Sequence, residues 1–230
     1  MSDSRDEILA KIRTSRSGPY VVKNELGTIE DRLKNHPRNV VPARGDGLPE
    51  EQITKFKAEA ELVNATVTRV SSNIDIPKEI AKYLADNNLP SRIKHAPSLE
   101  HLDWSTTLME VSHGIGEATD EVCVTTAYAG VAETGTIVTY SGQQNPTTLN
   151  FLPPVHIAVL NAVDITGSYE DVWTKLRADL GSKDQSASFI PRTVNMITGP
   201  SRTGDIQQTL LLGIHGPQRL HIVIVDEKTP

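Results

Sequence analysis

The chain has 230 residues, of which 37% are apolar, enough for one sizeable core or one domain with a helical attachment. A net charge of −6 and a pI near 5.6 supply no basic field for nucleic acid or an anionic membrane, and the acidic excess is scattered. The one cysteine, Cys123, excludes an internal disulfide, a four-thiolate zinc site and an iron–sulfur cluster held by this chain alone.

Ile8, Leu9 and Ile12 stand at helical spacing behind Ser and Asp capping candidates and predict a helix over 4–14. Residues 1–11 are charged and lack an apolar core of signal length, and no run is long enough to span a membrane, so a cytoplasmic protein is expected. Residues 16–48 carry prolines and glycines without a period and read as an irregular connection, with a short helix at 29–35. An N-terminal helical arm (1–45) thus precedes an α/β body (46–230). Pro49 suits a first helical turn, and Ile53, Phe56, Ala60 and Val63 share a face of a helix over 49–64. A strand at 65–70, a helix at 77–86 and a strand at 91–94 set a β–α–β rhythm that argues for a parallel sheet. Further strands are predicted at 108–112, 122–127, 136–140, 155–163, 189–197 and 220–225. Several are nearly all apolar, as in a sheet buried on both faces. A helix over 169–180 begins at Ser168 and ends near Gly181. The expected fold class is α/β, a mostly parallel sheet flanked by helices.

Two stretches carry chemistry. The string TGPSRTGDI (198–206) follows an apolar run and precedes a segment read as a helix starting near Asp205. A helix N-terminus with free N–H groups attracts a carboxylate or phosphate, and Arg202 adds a guanidinium fork. Gly199, Ser201, Arg202, Thr203 and Gly204 are therefore candidate anion-binding residues. The bland alternative is that Ser201 or Thr203 merely caps the helix. The string VAETGTIV (131–138) places Glu133 among small residues, with Gly135 and Thr136 beside it. Glu133 reads as a general base or carboxylate nucleophile, or else as a carboxylate that caps a turn or pairs with an arginine such as Arg202. The two stretches are expected to flank a shared cleft at the strand ends, where open α/β sheets bind ligands. His113, His156 and His215 are accessory candidates. A hydrogen-bonded structural role suits His156 and His215 better than acid–base chemistry, His113 stays a site candidate because glycines flank it, and no spacing matches a metal motif.

Four strings in order, VAETGTIV, LPPVH (152–156), TGPSRTGDI and GIHGP (213–217), resemble the LUD domain family, most closely its lactate utilization protein C group. The resemblance covers residue 45 onward. It implies the α/β fold of sugar-phosphate isomerases and CoA transferases. It also implies a part in oxidising L-lactate to pyruvate together with two partner proteins that carry iron–sulfur clusters, and CoA transferases of that fold use a glutamate as Glu133 would act. Gly204 departs from the alanine expected there.

Overall fold

The computed structural model describes residues 3–16, 31–32, 34–37, 40–181, 191–206 and 209–227. Residues Met1–Val40 and Val41–Pro230 form separate units. In the first, α1 (Asp3–Arg16) forms as its spacing predicts, with Ile8 and Ile12 exposed. Residues 31–32 and 34–35 are helical, and the rest of the short helix expected at 29–35 lies outside the described residues.

The second unit opens with a 3-10 turn (Ala43–Gly45) and α2 (Pro49–Leu62), whose first turn is fixed by Pro49 and by the Glu51 carboxylate accepting from the Leu48 N–H at 2.8 Å. β1 (Thr66–Val70), α3 (Ile76–Asp86), β2 (Arg92–His95), β3 (Glu110–His113) and β4 (Val122–Thr126) follow. β5 (Ala129–Val131) and β6 (Thr136–Tyr140) make a hairpin. Then come α4 (Thr148–Phe151), β7 (Val155–Asn161), β8 (Ile165–Thr166), α5 (Tyr169–Leu180) and β9 (Val194–Ile197). Residues 189–190 of the strand expected at 189–197 lie outside the described residues. β10 (Arg202–Ile206), β11 (Thr209–Leu212) and β12 (Arg219–Val225) close the chain's order.

Six strands form a wholly parallel sheet in the order β1-β12-β7-β4-β2-β3. β7 sits third, and all seven of its residues are buried, which explains its largely apolar sequence, interrupted only by His156 and Asn161. One face (Ala158, Leu160, Leu220, Ile222, Ile224) packs on α2. The other (Val124, Ile157, Val159, Val223) packs on α3. A second sheet, β8-β5-β6-β9, carries α5 on Val131 and Val138. The start of α5 is fixed by a reciprocal cap: the Ser168 Oγ accepts from the Asp171 N–H, and the Asp171 carboxylate accepts from the Ser168 N–H at 3.0 Å.

The helix expected from Asp205 is not there. Residues 202–206 are strand β10, paired antiparallel with β11 in the register Arg202↔Leu212 and Thr203↔Leu211. Thr209, Leu210, Leu211 and Leu212 supply an extended partner within reach, and the ladder satisfies backbone groups that a helix would otherwise have satisfied.

Candidate functional site

Glu133 lies in the loop of the β5–β6 hairpin and is 5% exposed. Its N–H donates to Gly167 O at 3.2 Å, and its Oε2 faces Arg44 Nε at 3.5 Å. Glu133 thus pairs with an arginine, but with Arg44 and not with Arg202, the example the sequence suggested. Thr134, Thr136 and Tyr169 share hydroxyl–hydroxyl hydrogen bonds of 2.8–3.0 Å, and Thr136 bonds Thr198 at 2.7 Å.

At Gly135 and Gly199 the space beside the glycine is taken by backbone. Gly135 has φ +63°, and a Cβ there would lie 2.1 Å from Ala60 N of α2. Gly199 has φ +73°, and a Cβ there would lie 2.4 Å from Val63 O. The small residues that suggested room for a ligand therefore admit the C-terminal end of α2. Arg202 acts at the same place: its Nη2 donates to Val63 O, where a cation suits the negative end of the helix. Without a helix after residue 204, the positive dipole end expected for an anion is missing too. Thr203 is buried in β10, and Gly204 lies in the same strand.

A cavity of about 150 Å³ lies beside this turn. Its walls come from α4 (Asn150, Phe151), β7 (His156), β9 (Met196, Ile197), the turn Gly199, Pro200 and Ser201, the turn His215, Gly216 and Pro217, and Leu220 of β12. Gly199, Ser201, His156 and His215 are thus brought together, whereas Glu133, Gly135, Thr136, Arg202, Thr203 and Gly204 are not among the lining residues. His156 and Leu220 are the second residues of β7 and β12, so the cavity opens at the N-terminal ends of these strands, opposite the ends at which open α/β sheets usually bind. His113 lies elsewhere, exposed at the end of β3, its ring 5.9 Å from that of buried His95, which stacks on Trp104.

Two side chains give the cavity its chemistry. His156 is fully buried, and its Nε2 is 2.7 Å from Thr125 Oγ1. Burial pulls its pKa down to about 4, so the ring is neutral at pH 7. Asn150 is 2% exposed, and its Nδ2 donates to Thr139 Oγ1 at 3.2 Å. His156 Nδ1 and Asn150 Oδ1 are buried without a hydrogen-bond partner among the described residues. Buried polar atoms are rarely left so, and each unpaired one costs about 1–3 kcal/mol. Asn150 escaped sequence reasoning, although a polar residue inside the apolar run Leu149-Asn150-Phe151-Leu152 is itself a signal.

Cys123 is fully buried, and burial pushes its thiol up to about 12, which suits a packing role. Among the described residues, no group of three or more His, Cys, Asp or Glu side chains is arranged to hold a metal ion, and no helix is long and apolar enough to cross a membrane.

The family model described as the LUD domain matches residues 53–225. The lactate utilization protein C of Exiguobacterium sp. strain AT1b is 27% identical over 198 residues, covering 78% of this chain and 84% of that protein. The protein of the same name from Geobacillus sp. strain WCH70 is 33% identical over 98 residues, covering 43% of this chain and only 39% of its own length. The crystal structure of a DUF162 family protein from Deinococcus radiodurans shares the fold, with a TM-score of 0.54 and 22% identity over 78% of this chain and 99% of that one.

Proposed function

From the premise that this chain belongs to the LUD domain family, we propose that it serves lactate utilization as one component of a multi-protein system that oxidises L-lactate to pyruvate. In this reading it acts in the cytoplasm and binds a small carboxylate in the cavity beside His156. It leaves electron transfer to partner proteins that carry iron–sulfur clusters. Its one cysteine supports that division of labour.

The observation that carries the reading is the cavity itself. About 150 Å³ is the scale that holds one molecule of roughly six heavy atoms, which is the size of lactate. Apolar Ile197 and Leu220 suit a methyl group, while Ser201 and exposed His215 suit a carboxylate at the mouth. The alternative of a self-sufficient transferase working through a Glu133 nucleophile is weakened by the site of that residue, away from the cavity and beside Arg44. A reading as a binding or assembly subunit draws support from Phe151 and Met196, large apolar side chains that line the cavity and are more than a third exposed.

The test is lactate-dependent dye reduction by the iron–sulfur partners with and without this chain. The proposal expects reduction to need the chain, to fail with His156→Phe, and to survive Glu133→Gln. Reduction at full rate without the chain would overturn it.

A further inference from the structure

We propose that the outer edge of β1 is a docking site for an extended, basic segment of a partner protein, which joins the six-stranded sheet as one more strand. The inference is independent of the cavity beside His156 and of any role in lactate utilization.

β1 is an end strand of the parallel sheet and pairs with β12 alone. In such a ladder alternate residues turn their N–H and C=O groups away from the neighbouring strand. Among the described residues, the backbone of Thr66–Val70 bonds only to β12 and to Asp226 just beyond it, so the outward groups have no protein partner. A row of this kind is a template for a further strand. A charged side chain on the strand is the usual guard of such an edge, and here it is drawn off: Arg69 holds Glu50 at 2.8 Å and Asp226 at 2.7 Å.

A cleft of about 320 Å³, about twice the volume of the cavity beside His156, lies along this edge. Consecutive residues Ala65 to Thr68 line it. Their side chains alternate between two faces. Ala65 and Val67 belong to the core cluster under α2, whereas Thr66 and Thr68 reach His221, which stacks on Tyr83 of α3. A cleft that touches both faces of one strand opens onto the edge of that strand. Its walls are Glu61 at the end of α2, and Glu79 and Asp86 on α3. The side chains of an added strand alternate between these walls, as those of β1 do.

Charge selects the occupant. The carboxylates of Glu61, Glu79 and Asp86 line the cleft against a single ammonium, Lys82, which lies 2.8 Å from Asp86. Lys57 stands 3.9 Å from Glu61, outside the lining. The remaining excess is negative and suits lysine or arginine on the incoming strand. It argues against a second copy of this chain. Two copies joined edge to edge would set one acidic cleft against the other, in a chain whose net charge is already −6. An open backbone row between two acidic walls thus fits an extended segment with basic side chains on both faces.

The experiment follows hydrogen exchange of the β1 amides by NMR in the full chain, titrated with three capped peptides. One repeats two lysines and two valines, the second has glutamate in place of lysine, and the third is the lysine peptide with proline in place of valine. In the free chain alternate amides of Thr66–Val70 should exchange fast. The lysine peptide should slow them and bind about tenfold or more tighter than the glutamate peptide. The proline peptide keeps the charge but cannot extend the ladder, so it should leave those amides unprotected. Glu61→Lys combined with Glu79→Lys should weaken the lysine peptide about tenfold. The three-peptide comparison on the wild-type chain keeps the test valid if that variant does not fold. Fast amides left unprotected by millimolar lysine peptide, equal binding of the lysine and glutamate peptides, or equal protection by the proline peptide would overturn the inference. A dimer that protects the same amides with no peptide present would also overturn it and give the edge to a second copy.

Discussion

Thr125 Oγ1 on β4 and His156 Nε2 on β7 lie 2.7 Å apart between neighbouring parallel strands, and this contact selects which edge of the imidazole is left facing other groups. A histidine fixed at one nitrogen by a hydroxyl cannot turn without losing that bond. The orientation of the ring is therefore set by the sheet, a rigid element, and not by a loop.

Thr125→Val should remove that restraint. It leaves buried Nε2 without a partner, and we expect a loss of about 1–3 kcal/mol in stability. Urea unfolding should show a lower midpoint with an unchanged slope. Ligand affinity should fall as well, since the ring is no longer held.

Acid should destabilise the body through two histidines. Burial lowers His156 and His221 to about 4, from an ordinary value of 6.5. His221 stacks on Tyr83 at 3.9 Å and bonds Thr66 at 2.8 Å. Both are depressed bases, so the unfolded chain binds protons that the folded chain refuses. Their contribution is complete above about pH 6.5, shrinks as pH falls, and is gone by about pH 4. Each is worth on the order of 3 kcal/mol over that window. Denaturation midpoints measured from pH 7 to 5 should fall in the wild type, and less steeply in His221→Gln. Parallel curves would refute the assignment.

Gly135→Ala and Gly199→Ala should each cost on the order of 3 kcal/mol or more, because the new Cβ meets α2 backbone at 2.1 and 2.4 Å on a positive-φ residue. Thermal unfolding by circular dichroism checks this. Wild-type stability with lost ligand binding would instead return these glycines to a ligand-cradling role.

Arg202→Gln should cost at most about 1 kcal/mol, the usual scale for a cation at a helix C-terminus. Lactate affinity should stay within about twofold of wild type. A loss of ten- to a hundredfold in affinity would restore the guanidinium to the binding site.

The helix over 169–180 was legible because its periodicity and its Ser168–Asp171 cap agree. The central strands β4, β7 and β12 were legible because their residues are nearly all buried and their sequences largely apolar, whereas β1, β2 and β3 at the margins of the sheet carry more polar and exposed residues. β5 and β8, three and two residues long, are too short to show a period. The TGPSRTGDI string misled for a clear reason. Gly, Ser and Thr mark a turn but do not say what approaches it, and here α2 does so, from more than a hundred residues earlier in the chain. The cavity was half legible: His156, Ser201 and His215 were named, but that they meet depends on long-range pairing of β7 with β12. The orphaned oxygen of Asn150 became visible only with its neighbours in place.

β12 lies between β1 and β7, joining Thr66 to His221 across 155 residues of chain. During synthesis β1 emerges early and stays unmatched until residues 219–225 leave the ribosome. The sheet then closes by sliding its last strand into an open slot, a slow, entropy-limited step. Until that moment the edges of β1 and β7 that β12 will join have no partner, and exposed strand edges of this kind invite pairing with other chains.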